Sequence, residues 1–136
     1  MPKNKRDSRN PTQTATRKIA PTRRSVSGLY MFRGQTAIPY ESHLERDFLV
    51  RKEFSLLVSE VIPQPVQIPF TASNGQTFTY TPDFLVHYRL SDYPVGQGPQ
   101  PVLVEVKPEE EWRKNWRSWL PKWKAAYRYA RDEGMV

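Results

Sequence analysis

Two short apolar runs carry charges where a strand interior rarely tolerates them. The first is Thr81-Pro82-Asp83-Phe84-Leu85-Val86, and the second is Val102-Leu103-Val104-Glu105-Val106-Lys107-Pro108. Their β-branched and aromatic content suits a pleated, half-buried surface. Taking a charge out of water into such a place is costly unless it gains a partner or a task. Glu105 and Lys107 are two apart, so on a strand they emerge from one face while Val104 and Val106 emerge from the other. The chain must therefore build a sheet that holds an acid and a cation side by side on a rigid element.

The rest of the composition narrows what such a sheet can belong to. A chain of 136 residues is enough for one domain with a single core. There is no cysteine, which excludes disulfides, a thiolate nucleophile and a cysteine zinc site. No apolar run approaches the roughly 20 residues of a membrane span, and the basic N-terminus lacks the apolar segment of a secretory signal. The expectation is a soluble, cytoplasmic protein without a membrane partner. Net charge is +7, and its distribution is uneven: residues 1–24 carry eight Lys or Arg against Asp7, whereas residues 25–136 carry 13 basic and 13 acidic side chains. The basicity is thus an arm, residues 1–27, too poor in large apolar groups to fold alone. It is suited to phosphate backbones through Arg17, Lys18, Arg23 and Arg24, or else is a solvated terminus. Residues 28–136 are expected to form the domain.

Leu29 to Arg33 carries apolar and aromatic weight and is expected to lie against the domain, with Arg33 extending the phosphate-binding surface. From Tyr40 to about Phe54 the period turns helical, with Leu44, Phe48 and Leu49 as the apolar stripe. Glu41 suits the positive end of a helix, but Glu45, beside Leu44 and Phe48 at the buried edge, has no such simple account. Leu56 to Ile62 and Val66 to Thr71 read as extended. Asn74-Gly75 predicts a type I′ hairpin turn, leading into a strand that Pro82 interrupts, so that Asp83 falls at a bend. Ser91 to Pro101 reads as a loop. A buried strand, Val102 to Lys107, precedes a final helix over Glu109 to Arg131, in which Pro121 predicts a kink or break. Trp112, Trp116, Trp119, Trp123 and Tyr127 recur at helical spacing and read as core. Arg113, Lys114 and Arg117 are part of a cationic surface that either tracks a nucleic-acid backbone or keeps this helix soluble.

Asp83, Glu105 and Lys107 suit a metal-dependent phosphodiesterase. Mg²⁺ takes oxygen ligands, one or two of them carboxylates, with waters and substrate phosphate completing the shell. Asp83 and Glu105 could supply the carboxylates together with the backbone carbonyl of Val106, and Glu45 could complete the shell or hold a second ion. Lys107 could then stabilise charge developing on the phosphate. The bland alternative is a satisfied Glu105–Lys107 ion pair at a strand end.

Pro82-Asp83 with Glu105-Val106-Lys107 resembles the PD-(D/E)xK nuclease superfamily. The stretches Tyr40 to Asp47, Gln64-Pro65, Tyr80 to Val86 and Val104 to Pro108, with Arg23 to Gly28 upstream, look like the N-terminal catalytic domain of TnsA-type endonucleases. The resemblance implies an α/β, restriction-endonuclease-like αβββα(β) core with a mixed central sheet flanked by helices. It places the family's helical glutamate on Glu45, its strand aspartate on Asp83 and its lysine on Lys107, with Glu105 as the second strand acid. It also implies Mg²⁺ or Mn²⁺ as cofactor and double-stranded DNA at transposon ends, cut at the 5′ ends, as substrate. A DDE-type transposase subunit and an ATPase regulator would be partners in a bacterial, nucleoid-associated setting. The family continues into another core strand where this sequence stops at Val136, so the final strand is expected to be missing, through truncation, as a minimal form, or because a partner completes the sheet.

Overall fold

A computed structural model describes residues 27–136; all of the basic arm but Ser27, and with it Arg17, Lys18, Arg23 and Arg24, lies outside the described residues. The first described elements are strands β1 (Gly28–Phe32) and β2 (Thr36–Tyr40), which pair antiparallel. The segment expected merely to lie against the domain is therefore half of a hairpin. Its turn uses Arg33 at φ 50° and Gly34 at φ 66°, with the Gln35 N–H donating to the Phe32 carbonyl at 3.0 Å. Positive φ at both central positions is the type I′ pattern expected instead at Asn74-Gly75.

Helix α1 (His43–Glu53) starts at Ser42, whose hydroxyl accepts the Glu45 N–H at 3.2 Å. Glu45 reaches back to accept from the Glu41 N–H at 3.2 Å and the Ser42 hydroxyl at 3.0 Å. This closely resembles a capping box, the Ser-x-x-Glu arrangement that satisfies the open donors of a helix N-terminus. It supplies the local account of Glu45 that its sequence position lacked. Glu41 lies before the cap rather than in the first turn. Leu49 is buried, but Leu44 is 43% exposed, so the apolar face runs through Phe48 and Leu49 and not through Leu44.

Arg33 fastens the other end of α1. Its guanidinium donates to the carbonyls of Glu53, Ser55 and Val58 at 3.3, 2.9 and 2.8 Å, and its backbone N–H donates to the Glu53 carboxylate at 2.7 Å. Arg33, expected to extend a phosphate-binding surface, instead spends these donors on the helix-end carbonyl of Glu53, which otherwise lacks an intrahelical partner, and on Ser55 and Val58 beyond the helix. Arg33→Ala is expected to lower unfolding stability by about 2–3 kcal/mol, the scale of charge-assisted hydrogen bonds to partly buried acceptors. Urea denaturation measures this, and Arg33→Lys should recover little because an ammonium cannot span several carbonyls.

The central sheet has the order β3-β6-β7, from β3 (Val58–Pro63), β6 (Phe84–Tyr88) and β7 (Val102–Val104). Both pairings are antiparallel. A register shift between Val58 and Glu60 lets Val58 and Val61, three residues apart, both enter the core, as a bulge does by adding one residue to a strand. Phe84 and Val86 join them from β6, with Phe32, Ile38 and Leu49 from the hairpin and α1. Leu85 is also buried but does not belong to that cluster, as alternation requires. The mixed character of the sheet enters at the last residue. The Leu103 N–H donates to the Val136 carbonyl and the Val136 N–H to the Pro101 carbonyl, both at 2.8 Å, the bond pair of a parallel pairing beside β7.

Between β3 and β6 the chain makes a separate hairpin, β4 (Ile68–Thr71) and β5 (Thr77–Tyr80). Here Gly75 alone has positive φ, at 84°, and its N–H donates to the Ala72 carbonyl at 2.9 Å. The turn is the longer kind that ends on one left-handed glycine, not a type I′ turn.

Helix α2 (Glu109–Asp132) packs against β4 and passes through Pro121 without interruption. Proline removes one donor and strains the preceding turn, but helical assignment continues on both sides of it, so the predicted break does not occur. The aromatic stripe is not core either. Trp112, Trp116 and Tyr127 are 46%, 41% and 70% exposed, and Ala130 is the buried residue of this helix. Trp119 and Trp123 are half-buried, packing edge-on at 6.0 Å, and Trp123 meets Tyr80 at 5.7 Å.

Candidate active site

Asp83 is set by the bend that Pro82 imposes. Its carbonyl still accepts from the Gln64 N–H just past the end of β3 at 2.9 Å, while Oδ2 accepts from the Val106 N–H at 2.8 Å. That side-chain bond takes the place of a ladder bond. The β6–β7 ladder ends at the Phe84–Val104 pair, so the expected strand to Lys107 is three residues long, and residues 105–107 are tied to the sheet through Asp83. The alternation survives the end of the ladder. Val104 and Val106 pack on the core, and on the other side the Lys107 Nζ lies 3.6 Å from the Glu105 Oε1. Val106, expected to offer its carbonyl, enters the site by its N–H.

Asp83 acts electrostatically on two other carboxylates, Glu45 and Glu105. Glu45 and Asp83 are buried, at 7% and 5% exposure, and the Glu105 side chain is 11% exposed. Burial, then the charge of Asp83, pushes the Glu45 carboxyl above its ordinary value, against hydrogen bonds from Ser42 and Glu41. Burial and Asp83 push Glu105 up as well, against the Tyr80 hydroxyl, Lys107 and Lys122. The Glu105–Lys107 ion pair is therefore real but insufficient: a satisfied pair would hold the acid low, whereas burial and a second carboxylate outweigh it.

Glu105 and Lys107 line an open cleft of about 460 Å³ with Tyr80 and Lys122. Tyr80 donates to Glu105 Oε2 at 2.7 Å. The Lys122 ammonium lies 5.0, 4.8 and 4.4 Å from the ring centres of Tyr80, Trp119 and Trp123, within cation–π range of all three. Lys107 shares the Trp119 ring at 5.8 Å. Sequence reasoning missed Tyr80 and Lys122 as site residues, because each meets Glu105 only through long-range packing: Tyr80 from the end of β5 and Lys122 from α2. Of the cations expected on a DNA-binding surface, Arg113 is paired with Glu109 at 2.5 Å, and Lys114 sits beside Glu110 and Glu111. Those acids offset their charge. Arg117 lies further along α2, facing β4.

The chain matches the family described as "TnsA-like endonuclease N terminal" over residues 57–136. It belongs to that family. The matched residues include β3 through α2, and so Asp83, Glu105 and Lys107; α1 and Glu45 precede them. As a TnsA-like endonuclease domain it has the α/β order that the family implies, with two helices bracketing the three sheet strands and the β4–β5 hairpin inserted between the first two of those strands. No curated protein and no solved structure matches the chain. No helix among the described residues is long and apolar enough to cross a membrane.

The donor set can be weighed against a divalent cation. Among the described residues no group of three or more Asp, Glu and His side chains is gathered so as to hold a metal ion. Two carboxylates suffice for Mg²⁺ when waters and a phosphate complete the octahedron. Asp83 and Glu105 are two carboxylates near enough for the charge of one to push the other up, the kind of repulsion that a cation would relieve.

Proposed function

We propose that this domain is a metal-dependent endodeoxyribonuclease that hydrolyses phosphodiester bonds at the 5′ ends of a transposon, as the nuclease subunit of a heteromeric transposase. The observation that carries the reading is Glu105, at one cleft with Lys107 and Lys122, pushed up by the charge of buried Asp83, which also pushes up buried Glu45. A fold that needed only stability would not keep like charges there.

Asp83 and Glu105 would hold Mg²⁺ or Mn²⁺, which when bound supplies Lewis-acid polarisation of a phosphoryl oxygen and lowers the pKa of bound water. The protein side of the chemistry rests on this chain's own groups. The Val106 N–H fixes the Asp83 carboxylate, and the Tyr80 hydroxyl fixes Glu105. Lys107, 3.6 Å from Glu105, can turn to a phosphate oxygen and stabilise the charge that grows there in the transition state. Lys122, held on three rings, adds a second fixed cation at the same cleft. Glu45, whose carboxyl burial and the Asp83 charge push up, serves as a third acid or as a ligand to a second ion. A DDE-type transposase subunit and an ATPase regulator are the proposed partners.

The test is nicking of a supercoiled plasmid carrying transposon ends, with Mg²⁺ or Mn²⁺ and the partner subunits added, comparing wild type with Lys107→Ala. Loss of one preorganised charge donor is expected to slow cleavage about 10²–10³-fold. Equal rates would remove Lys107 from the mechanism, and no metal-stimulated cleavage by either protein would leave a DNA-binding module without nuclease activity.

A further inference from the structure

A second cleft, of about 570 Å³, lies between α2 and the β4–β5 hairpin. It adjoins the active-site cleft, since Phe70 is in the wall of both. One wall carries Arg117, Lys124 and Arg128 from α2, and the other includes the hydroxyl residues Thr71 and Ser73.

Keeping a surface helix soluble is the ordinary reason for its charges, and such helices mix signs so that neighbours four apart can pair. Between residues 112 and 131 this helix has seven Lys or Arg and no acid. Among the described residues, Arg117, Lys124 and Arg128 have no carboxylate partner, in contrast to Arg113 and Arg131. Arg117 lies over the Trp116 ring at 5.2 Å, which stiffens the guanidinium while leaving its N–H edge available. At 1.5 Å per residue the three cations are spaced by about 10.5 and about 6 Å along the helix axis. That compares with about three and two steps of a DNA strand, which carries one phosphate per about 3.4 Å of axis. Hydroxyl groups on the facing wall are further donors that phosphate oxygens accept from.

We infer that this cleft is a phosphate-tracking groove, in which Arg117, Lys124 and Arg128 hold the backbone of the DNA strand that runs away from the scissile phosphate. It rests on the nuclease reading for the identity of the polyanion. The groove gives the enzyme a grip on DNA separate from the acids, so binding need not depend on filling the catalytic site. Backbone contacts of this kind set register and orientation without reading sequence.

The experiment is fluorescence anisotropy of a labelled duplex across a salt series, with the full chain carrying Lys124→Ala/Arg128→Ala. A control with the same loss of charge is Arg46→Ala/Arg131→Ala, whose cations lie 4.0 and 3.3 Å from the adjacent Asp47 and Asp132. Removing two phosphate contacts is expected to weaken binding roughly tenfold or more at moderate salt and to make the slope of log affinity against log salt shallower by about two. The control should leave that slope near wild type. An unchanged slope in the groove variant, or an equal change in the control, would overturn the proposal. Because the readout is binding, a protein that binds through the groove but never cuts would sink the nuclease reading alone, and one that cuts with an unaltered groove slope would sink the groove alone.

Discussion

Asp83→Asn is expected to reduce DNA cleavage about 10³-fold while leaving the fold and DNA binding in place. The amide oxygen can still accept the Val106 N–H that Asp83 now holds at 2.8 Å, so residues 105–107 keep their tether. The negative charge at the centre of the site is lost, and with it one of the two carboxylates proposed to hold a divalent ion; losses of this size accompany removal of a single preorganised electrostatic group. Stability should move the other way. Burial and the Asp83 charge hold the Glu45 and Glu105 carboxyls above the ordinary glutamate value of 4.5. The native chain therefore keeps protons that the unfolded chain has released, and its stability falls as pH rises from the ordinary glutamate value through the raised ones. Asp83→Asn removes one cause of the shift, so that fall becomes smaller. Denaturant titrations below and above the glutamate range, with and without Mg²⁺, measure it: wild type should gain stability from the ion at neutral pH and the variant should gain much less. Cleavage by the variant at the wild-type rate would show that Asp83 is a structural acid.

Phe84→Ala is expected to cost about 3–5 kcal/mol, the usual range for deleting a buried aromatic ring. Phe84 is 1% exposed, belongs to the main core cluster and stacks on Phe48 at a centroid distance of 5.3 Å. Thermal or denaturant unfolding reads this directly. For a domain of this size such a loss is a large fraction of total stability, so expression and solubility should suffer as well. Phe84→Leu, which keeps much of the buried volume, should cost appreciably less. A small effect of Phe84→Ala would mean that the helix α1 face and β6 can close over the gap. The residue also joins fold to function, since it follows Asp83 and is the first rung of the ladder to Val104.

Much of the candidate site's local geometry is legible in the sequence. Pro82 had to bend the chain, because its ring fixes φ and it lacks a donor, and Asp83 sits at that bend. The alternation of Val104, Glu105, Val106 and Lys107 had to split into an apolar and a charged side, and it does so even though the ladder stops at Val104. What misled were patterns that name a period but not a neighbour. The tryptophans of α2 repeat like core residues, yet burial depends on which element covers them, and the described residues leave Trp112 and Trp116 substantially exposed. Arg33 looks like a DNA contact in a basic chain, but the type I′ turn aims it at the end of α1. Leu44 fits the helical stripe, but the face presented to the core is set by the β1–β2 hairpin and β3.

The acids, the bend at Asp83, the lysine two residues past Glu105 and the family they point to can all be read from the residues alone, because local backbone chemistry and strand alternation act over a few residues. It is the packing of the folded chain that sets Asp83 against both Glu45 and Glu105, brings Tyr80 and Lys122 to Glu105, and makes α2 and the β4–β5 hairpin enclose a basic groove. Those relations join residues far apart in the chain, and long-range contact is fixed by the packing of whole elements, which no local pattern encodes.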